Sequence, residues 1–327
     1  MKTYQIVGIG NAIMDVIAPV EDAFLAAHGI EKGVMQLTDQ ARGESLYAAM
    51  QAPVQAAGGS VANSIAGLAA LGLKTAFIGR VAADEVGHFY ADAMEKGGCA
   101  FVNPPVANAE LPSSRSMIFV SPDGERSMNT YLGISSELGP QDVPAEVAGA
   151  AEILLLEGYL YDKPAGKAAF AQAAELCRAA GGLAGVSLSD PFCVDRHRAD
   201  FRSLISSLDF VIGNEHEWAS LYECELEAAL AQASQEAGLV VCTRSGAPVV
   251  IMRGAERVDV AVTPVTPVDA TGAGDQFAAG FLYGLATGRD LATAGRMGCV
   301  AAAEVISHYG ARPEADLKAL FKAEGLL

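Results

Sequence analysis

Short apolar runs alternate with longer stretches of helical periodicity along almost the whole chain. The runs YQIVGIG (4–10), TAFIGR (75–80), EILLLEG (152–158), LAGVSL (183–188), DFVIGN (209–214), LVVCT (239–243) and PVVIM (248–252) read as strands. Several are apolar throughout, as strands covered on both faces are. Helical patterns cover 60–71, 84–96, 164–180, 198–207, 215–222, 226–236, 275–287, 290–307 and 314–323, with Asp84 and Asp290 where N-caps belong. This alternation predicts an α/β fold, a doubly wound sheet flanked by helices, in a single domain over 1–327.

Two extended segments break the rhythm. VMQLT (34–38) and RSMIFVSPDGERSMNTYL (115–132) have no helix to cover them, and the second folds back at Ser121-Pro122-Asp123-Gly124, whose residue types suit a turn between strands. They are expected to form a small β-sheet lid built from insertions at about 11–40 and 100–134, apolar on one face. Such a face serves a substrate or a second copy of the chain, so a monomer or a homodimer through the lid is expected. Edge strands of the main sheet are the alternative reading.

Composition narrows the partners. With 327 residues, 51% of them hydrophobic, the chain can bury a large core. A formal net charge of -17 repels phosphate, which argues against nucleic acid or an anionic membrane and leaves a small-molecule substrate. The six cysteines contain no CxxC pair, so neither zinc nor a disulfide framework is expected. No charged leader opens the sequence and no apolar run approaches the roughly eighteen residues of a membrane span. The cytoplasm is the expected compartment.

Four motifs carry candidate chemistry. GIGNAIMD (8–15) begins like a dinucleotide fingerprint but has Ile13 where the third glycine belongs, and Asp15 comes too early to hold a ribose, which disfavours an NAD-dependent oxidoreductase. Asp15 instead reads as a carboxylate at a strand end, placed to accept hydrogen bonds from substrate hydroxyls. In GGSVANS (58–64), Gly58 and Gly59 allow close backbone approach, Ser60 suits a helix cap, and Asn63 offers a donor and an acceptor; tight helix–sheet packing explains the same glycines. GNEHEW (213–218) puts Asn214 and Glu217 on one side of a helix start, where they could organise Mg²⁺ and phosphate or simply form a cap with its reciprocal acid.

The fourth motif is DATGAGDQFAAGFL (269–282). Backbone N–H groups of Gly272, Ala273 and Gly274 would face an anion ahead of a helix, and Asp275 on its first turn could take a proton from an attacking hydroxyl. An anion hole and a base in one turn suit phosphoryl transfer. The Lys-Ser/Thr ending of a P-loop is missing.

DATGAGDQFAAGFL and GGSVANSIAGLAALG resemble the two signatures of the ribokinase (PfkB) family of carbohydrate and nucleoside kinases, and NEHE resembles its N-x-x-E motif. The resemblance implies ATP as donor with Mg²⁺, Asp275 as base, and an anion hole at Gly272, Ala273 and Gly274. It places Asn11, Asp15, Gly58, Gly59 and Asn63 on the acceptor, Asn214 and Glu217 on magnesium and phosphate with Glu217 acting through water, and Thr243 and Gly246 beside the nucleotide. Ser245 departs from the glycine of many relatives. Asp269 and Thr271, with the segment VISHYGAR (305–312), match a monovalent-cation site, K⁺ in the first place. GNAIMDV and GERSMNTYLG are most similar to the adenosine kinase branch, which puts Met128, Thr130 and Leu132 against the acceptor and Arg126 near a phosphate. The expected reaction is transfer of the γ-phosphoryl group to a primary hydroxyl of a ribosyl compound, adenosine first and a free sugar (ribose, fructose or 2-keto-3-deoxygluconate) second. A non-catalytic binding protein on the same fold is the remaining alternative.

Overall fold

The computed structural model describes residues 2–327. Nine strands form one sheet in the order Glu256–Val260, Ala247–Arg253, Val240–Arg244, Phe210–Asn214, Leu183–Ser187, Ala151–Glu157, Tyr4–Ile9, Thr75–Ile78, Cys99–Phe101. Pairing is parallel from Cys99–Phe101 through Val240–Arg244, and the last two strands add an antiparallel edge. The apolar runs follow from burial on both faces. Ile6, Ile153, Leu155 and Ile212 enter one core, whereas Val7, Ile9, Leu154, Leu156 and Val211 enter the other.

From Tyr4–Ile9 the chain builds outward to Thr75–Ile78 and Cys99–Phe101, then returns to Ala151–Glu157 on the opposite side of the first strand. Strand order therefore reverses between Tyr4–Ile9 and Ala151–Glu157. The carboxyl ends flanking such a reversal form the crevice where ligands of open α/β sheets bind.

A second sheet of five strands has the order Met35–Leu37, Arg126–Tyr131, Ser114–Val120, Ile13–Pro19, Val54–Gly58. The segments 34–38 and 115–132 thus belong to a separate small sheet and are not edge strands of the large one. Their turn closes through Gly124 N–H to the Ser121 carbonyl at 2.9 Å.

Three features differ from expectation. Ile13–Pro19, inside the insertion expected at about 11–40, forms a strand of the small sheet that was not read as one, with Met14, Val16 and Ala18 fully buried on one face and Ile13, Asp15 and Ile17 on the other. Asp15 is therefore mid-strand and not at the end of a large-sheet strand. Val54–Gly58 also joins this sheet, although Val-Gln-Ala-Ala-Gly has little strand propensity. The outer face is not bare: helix Gln40–Ala49 packs on Ser114–Val120 and Arg126–Tyr131 with Leu46 fully buried. Its sequence QARGESLYAA has too few apolar residues to show a stripe.

The remaining helices lie close to the expected ranges. Asp84 caps Glu85–Lys96 by accepting from Gly87 N–H at 2.7 Å, and Asp290 caps Leu291–Val305 by accepting from Thr293 N–H at 2.8 Å. Among the described residues no helix is long and apolar enough to cross a membrane, and all six cysteines are free.

Candidate active site

A cleft of about 1000 Å³ lies between the carboxyl ends of the large sheet and the inner face of the small one. Helix Ala273–Ala286 points its N-terminus into this space. Its N-cap, Gly272, has φ +78°, and a Cβ there would come within 2.7 Å of Ala311 Cα, so the turn requires glycine. Asp275 follows three residues later. Its carboxylate accepts from Ser60 Oγ at 2.7 Å and from Asn63 Nδ2 at 3.1 Å. Desolvation lifts Asp275 to about 6, against the pull of those two hydrogen bonds.

Of the three N–H groups expected to face an anion, Ala273 closes a turn onto the Ala270 carbonyl at 3.3 Å. Gly272 and Gly274 have no backbone acceptor among the described residues. Ser60 is not the cap of its helix. Gly59 holds that position with φ +101°, where a Cβ would lie 2.3 Å from the Asn11 carbonyl oxygen. Ser60, one residue further on, is free to turn its hydroxyl to Asp275.

Asp15 lines the same cleft from the small sheet. Burial raises it to about 7 and Asp275 pushes in the same direction, while Arg312 and Arg126 pull it down. Gly58 does not line the cleft but makes room for Asp15: a Cβ at Gly58 would stand 2.2 Å from Asp15 Oδ2. Asn63, besides donating to Asp275, accepts from Arg312 Nε at 3.4 Å. Asn11 lines the cleft too, with its side-chain amide already engaged. Its Nδ2 donates to Glu157 Oε1 at 2.8 Å and its Oδ1 accepts from Ser135 Oγ at 2.9 Å.

Glu157 was missed in the sequence; its one signal there is an acid near the end of the apolar run EILLLEG, and only the fold gives it meaning. It is 1% exposed and also accepts from the N–H groups of Asn11 and Val61, each at 3.0 Å. Burial raises it to about 7. It thus ties the carboxyl end of Ala151–Glu157 to the turn after Tyr4–Ile9 and to the start of helix Ser60–Ala70.

Met128, Thr130 and Leu132 line the cleft from the side of the small sheet, joined by Ile13, Ser116, Ile118 and Leu37. On the opposite side Asn214, Glu217 and Thr243 line it. Asn214 and Glu217 form the reciprocal cap: Glu217 accepts from Asn214 N–H at 2.8 Å and from Asn214 Nδ2 at 2.7 Å, and Asn214 Oδ1 accepts from Glu217 N–H at 2.9 Å. Burial lifts Glu217 to about 7. Gly246 lies outside the cleft lining, on the two-residue turn before Ala247–Arg253. The preceding Ser245 has φ +49°, a conformation glycine adopts more easily.

Asp269 also stands behind the cleft wall. It accepts from Thr271 N–H at 3.0 Å and Gly310 N–H at 2.9 Å, and it pairs with the buried guanidinium of Arg126. Arg126 therefore spends its charge on Asp269 here. Among the described residues no group of three or more His, Cys, Asp or Glu could cage a metal. Asn214 and Glu217 on the cleft wall, one amide and one carboxylate, are a donor set that fits Mg²⁺ held mainly by phosphate and water.

Residues 5–317 match the pfkB family carbohydrate kinase profile. The fold superposes with a TM-score of 0.93 on a probable sugar kinase from Rhizobium etli, at 41% identity and 100% coverage of both chains. On the adenosine kinase of Sinorhizobium meliloti the TM-score is 0.91, at 42% identity over 98% of this chain and 99% of that one. An uncharacterized sugar kinase of Archaeoglobus fulgidus is 28% identical over 250 residues, 75% of this chain and 96% of that protein. These kinships imply ATP and usually Mg²⁺. The chain belongs to the PfkB family of carbohydrate kinases and is an ATP-dependent kinase of sugars or nucleosides.

Proposed function

We propose that this kinase phosphorylates a primary hydroxyl of a ribosyl compound, adenosine in the first place. The observation that carries the reading is one cleft with Asp275 at a helix N-terminus, Asp15 on the small sheet, and an apolar roof that includes Ile118 and Met128 on that same sheet. When bound, ATP supplies the phosphoryl group and Mg²⁺ offsets the charge of its phosphates. Asn214 and Thr243 would border them. Glu217 would act through water, since Asn214 engages both its oxygens.

Asp275 would take the proton of the attacking hydroxyl. A carboxyl near 6 is ionised at neutral pH yet more basic than an ordinary one, the compromise a general base needs. The N–H groups of Gly272 and Gly274, with that of Ala273 once its turn opens, would face the developing negative charge. Asp15 and Asn63 would hold acceptor hydroxyls, with Gly59 keeping the backbone close and Gly58 leaving room for the Asp15 carboxylate. The small sheet would act as a lid, with Met128, Thr130 and Leu132 against a purine.

A free sugar is the second reading, favoured by the sugar kinase names of the Rhizobium etli and Archaeoglobus fulgidus relatives. Measuring ATP consumption with nucleosides, ribose, fructose and keto-deoxy sugars separates the two. A better rate with any sugar than with adenosine overturns the first reading. Adding potassium tests a cation near Asp269 and Thr271, where the Asp269 carboxylate is already engaged by two N–H groups and Arg126.

A further inference from the structure

A polar row crosses the apolar face of the lid. In register, Asp15 stands beside Ser116, Ser116 beside Thr130, and Thr130 beside Leu37. Ser116 Oγ and Thr130 Oγ1 are 2.8 Å apart, 4% and 6% exposed by residue, and both line the cleft. Besides Asp15, the cleft-lining positions around this pair are apolar, among them Ile118, Met128, Leu132 and Leu37.

Two hydroxyls carry two hydrogens, and the pair uses one. The second has no acceptor among the described residues. A buried donor left unmatched costs free energy, so a cleft that keeps one is arranged to meet an acceptor brought by a ligand.

Distance identifies the part of the ligand. Neighbouring strands are about 4.8 Å apart, which puts the pair one to two strand spacings from Asp15. A pentose whose hydroxyls are held at Asp15 is too short to fill that span. A base on its anomeric carbon extends along the row.

We infer that the Ser116–Thr130 hydroxyl pair reads a ring nitrogen on the edge of a purine whose sugar is held at Asp15. This inference rests on the proposed nucleoside acceptor. It assigns Ser116 and Thr130 a role in specificity and leaves phosphoryl transfer at Asp275 untouched.

The test compares kcat/KM for adenosine and its 1-deaza, 3-deaza and 7-deaza analogues in the wild-type enzyme and in the S116A/T130V double variant. The double variant removes both hydroxyls together and leaves neither orphaned, so a near-normal Tm is expected. One deaza analogue should lose about three- to tenfold in the wild type, the size of one neutral hydrogen bond. The double variant should lose the same factor with adenosine, lose nothing further with that analogue, and keep its KM for ATP. The inference is overturned if all three analogues match adenosine in the wild type, a series that needs no variant, or if the double variant handles adenosine normally. Ribose turnover without adenosine turnover is a different outcome, which overturns the nucleoside reading and this inference with it.

Discussion

Ser60 donates its hydroxyl to Asp275 at 2.7 Å across 215 residues of sequence. The contact exists because helices Ser60–Ala70 and Ala273–Ala286 both begin at glycines with positive φ and bring their N-termini together. Gln276, fully buried, fixes the same junction by donating to the carbonyls of Asn63 at 3.0 Å and Ala311 at 2.9 Å. Two positive helix ends therefore converge on one cleft. In a chain of net charge -17 they give an anion a local site that the overall field does not.

Asp275→Asn should lower kcat by about 10²- to 10⁴-fold, the usual worth of a positioned base. The amide cannot take a proton, and it would turn either an oxygen or an NH₂ toward the donors of Ser60 and Asn63. Binding of ATP, followed by titration calorimetry, should persist. A variant keeping more than about a tenth of wild-type kcat excludes the role.

Ser60→Ala tests the hydroxyl itself through pH. The Ser60 hydrogen bond favours the ionised form of Asp275 and holds its pKa down toward about 6. Its loss should move the acid limb of kcat/KM to higher pH and leave the alkaline side in place. A limb that stays put means that Asp275 is not the group titrating.

How much of this was legible in sequence depends on whether neighbours along the chain are neighbours in space. The large sheet was readable because its strands are buried on both faces and so are apolar throughout, as in Leu154, Leu155 and Leu156. Asp275 and its glycines were readable because the turn is local. Ser60 and Glu157 were not, since their meaning lies in contacts to Asp275, Asn11 and Val61 that only the fold creates. Asp15 was singled out in the sequence and does line the cleft, but from a strand of the small sheet and not from the end of a large-sheet strand. Gly10, Asn11 and Ala12 look like a simple continuation of Tyr4–Ile9, but they carry the chain from one sheet to the other.

The buried acids set the pH dependence of stability. Asp15, Glu157 and Glu217 titrate at about 7 and Asp275 at about 6, against ordinary values of 3.8 for aspartate and 4.5 for glutamate, with burial the largest cause in each. Each folded-state pKa lies above its unfolded value, so across that interval the native chain binds more protons. Stability must then fall as pH rises from about 4.5 to 7. The ligand-free enzyme should melt at a higher temperature near pH 5.5 than at pH 8, and the difference should shrink in Asp15→Asn. A Tm that climbs over this range contradicts the assignment.

Gly58 and Asp15 should be energetically coupled. The three closest atoms to a Cβ at Gly58 all belong to the Asp15 carboxylate, the nearest at 2.2 Å. Gly58→Ala should therefore displace Asp15, raise the acceptor KM and destabilise the fold by about 1–3 kcal/mol. Asp15→Ala alone should weaken acceptor binding by roughly 1.5–3 kcal/mol, the worth of a charge-assisted hydrogen bond. In the double variant the clash has no partner, so the stability cost of Gly58→Ala should largely vanish. A double-mutant cycle that is additive in Tm and KM rules out the coupling.

The choice between a nucleoside and a sugar rests on the lid. Met128 sits between Ile118 and Met35 in register, on the face that lines the cleft. A purine closed under these side chains loses apolar contact with water at about 25 cal/mol per Å², and one covered face is enough to favour adenosine over ribose by about tenfold in kcat/KM. Met128→Asp puts a charge on that face, where it must stay hydrated or be buried at high cost, so the adenosine advantage should shrink. Ribose, which does not reach the residue from Asp15, should be turned over much as before. If Met128→Asp lowers kcat/KM for both acceptors equally, the lid contributes closure and not recognition of the base. The role proposed for Asp275 would stand in that case, because its carboxylate is positioned by the turn at Gly272 and by Ser60 and Asn63, none of which belongs to the strands of the small sheet.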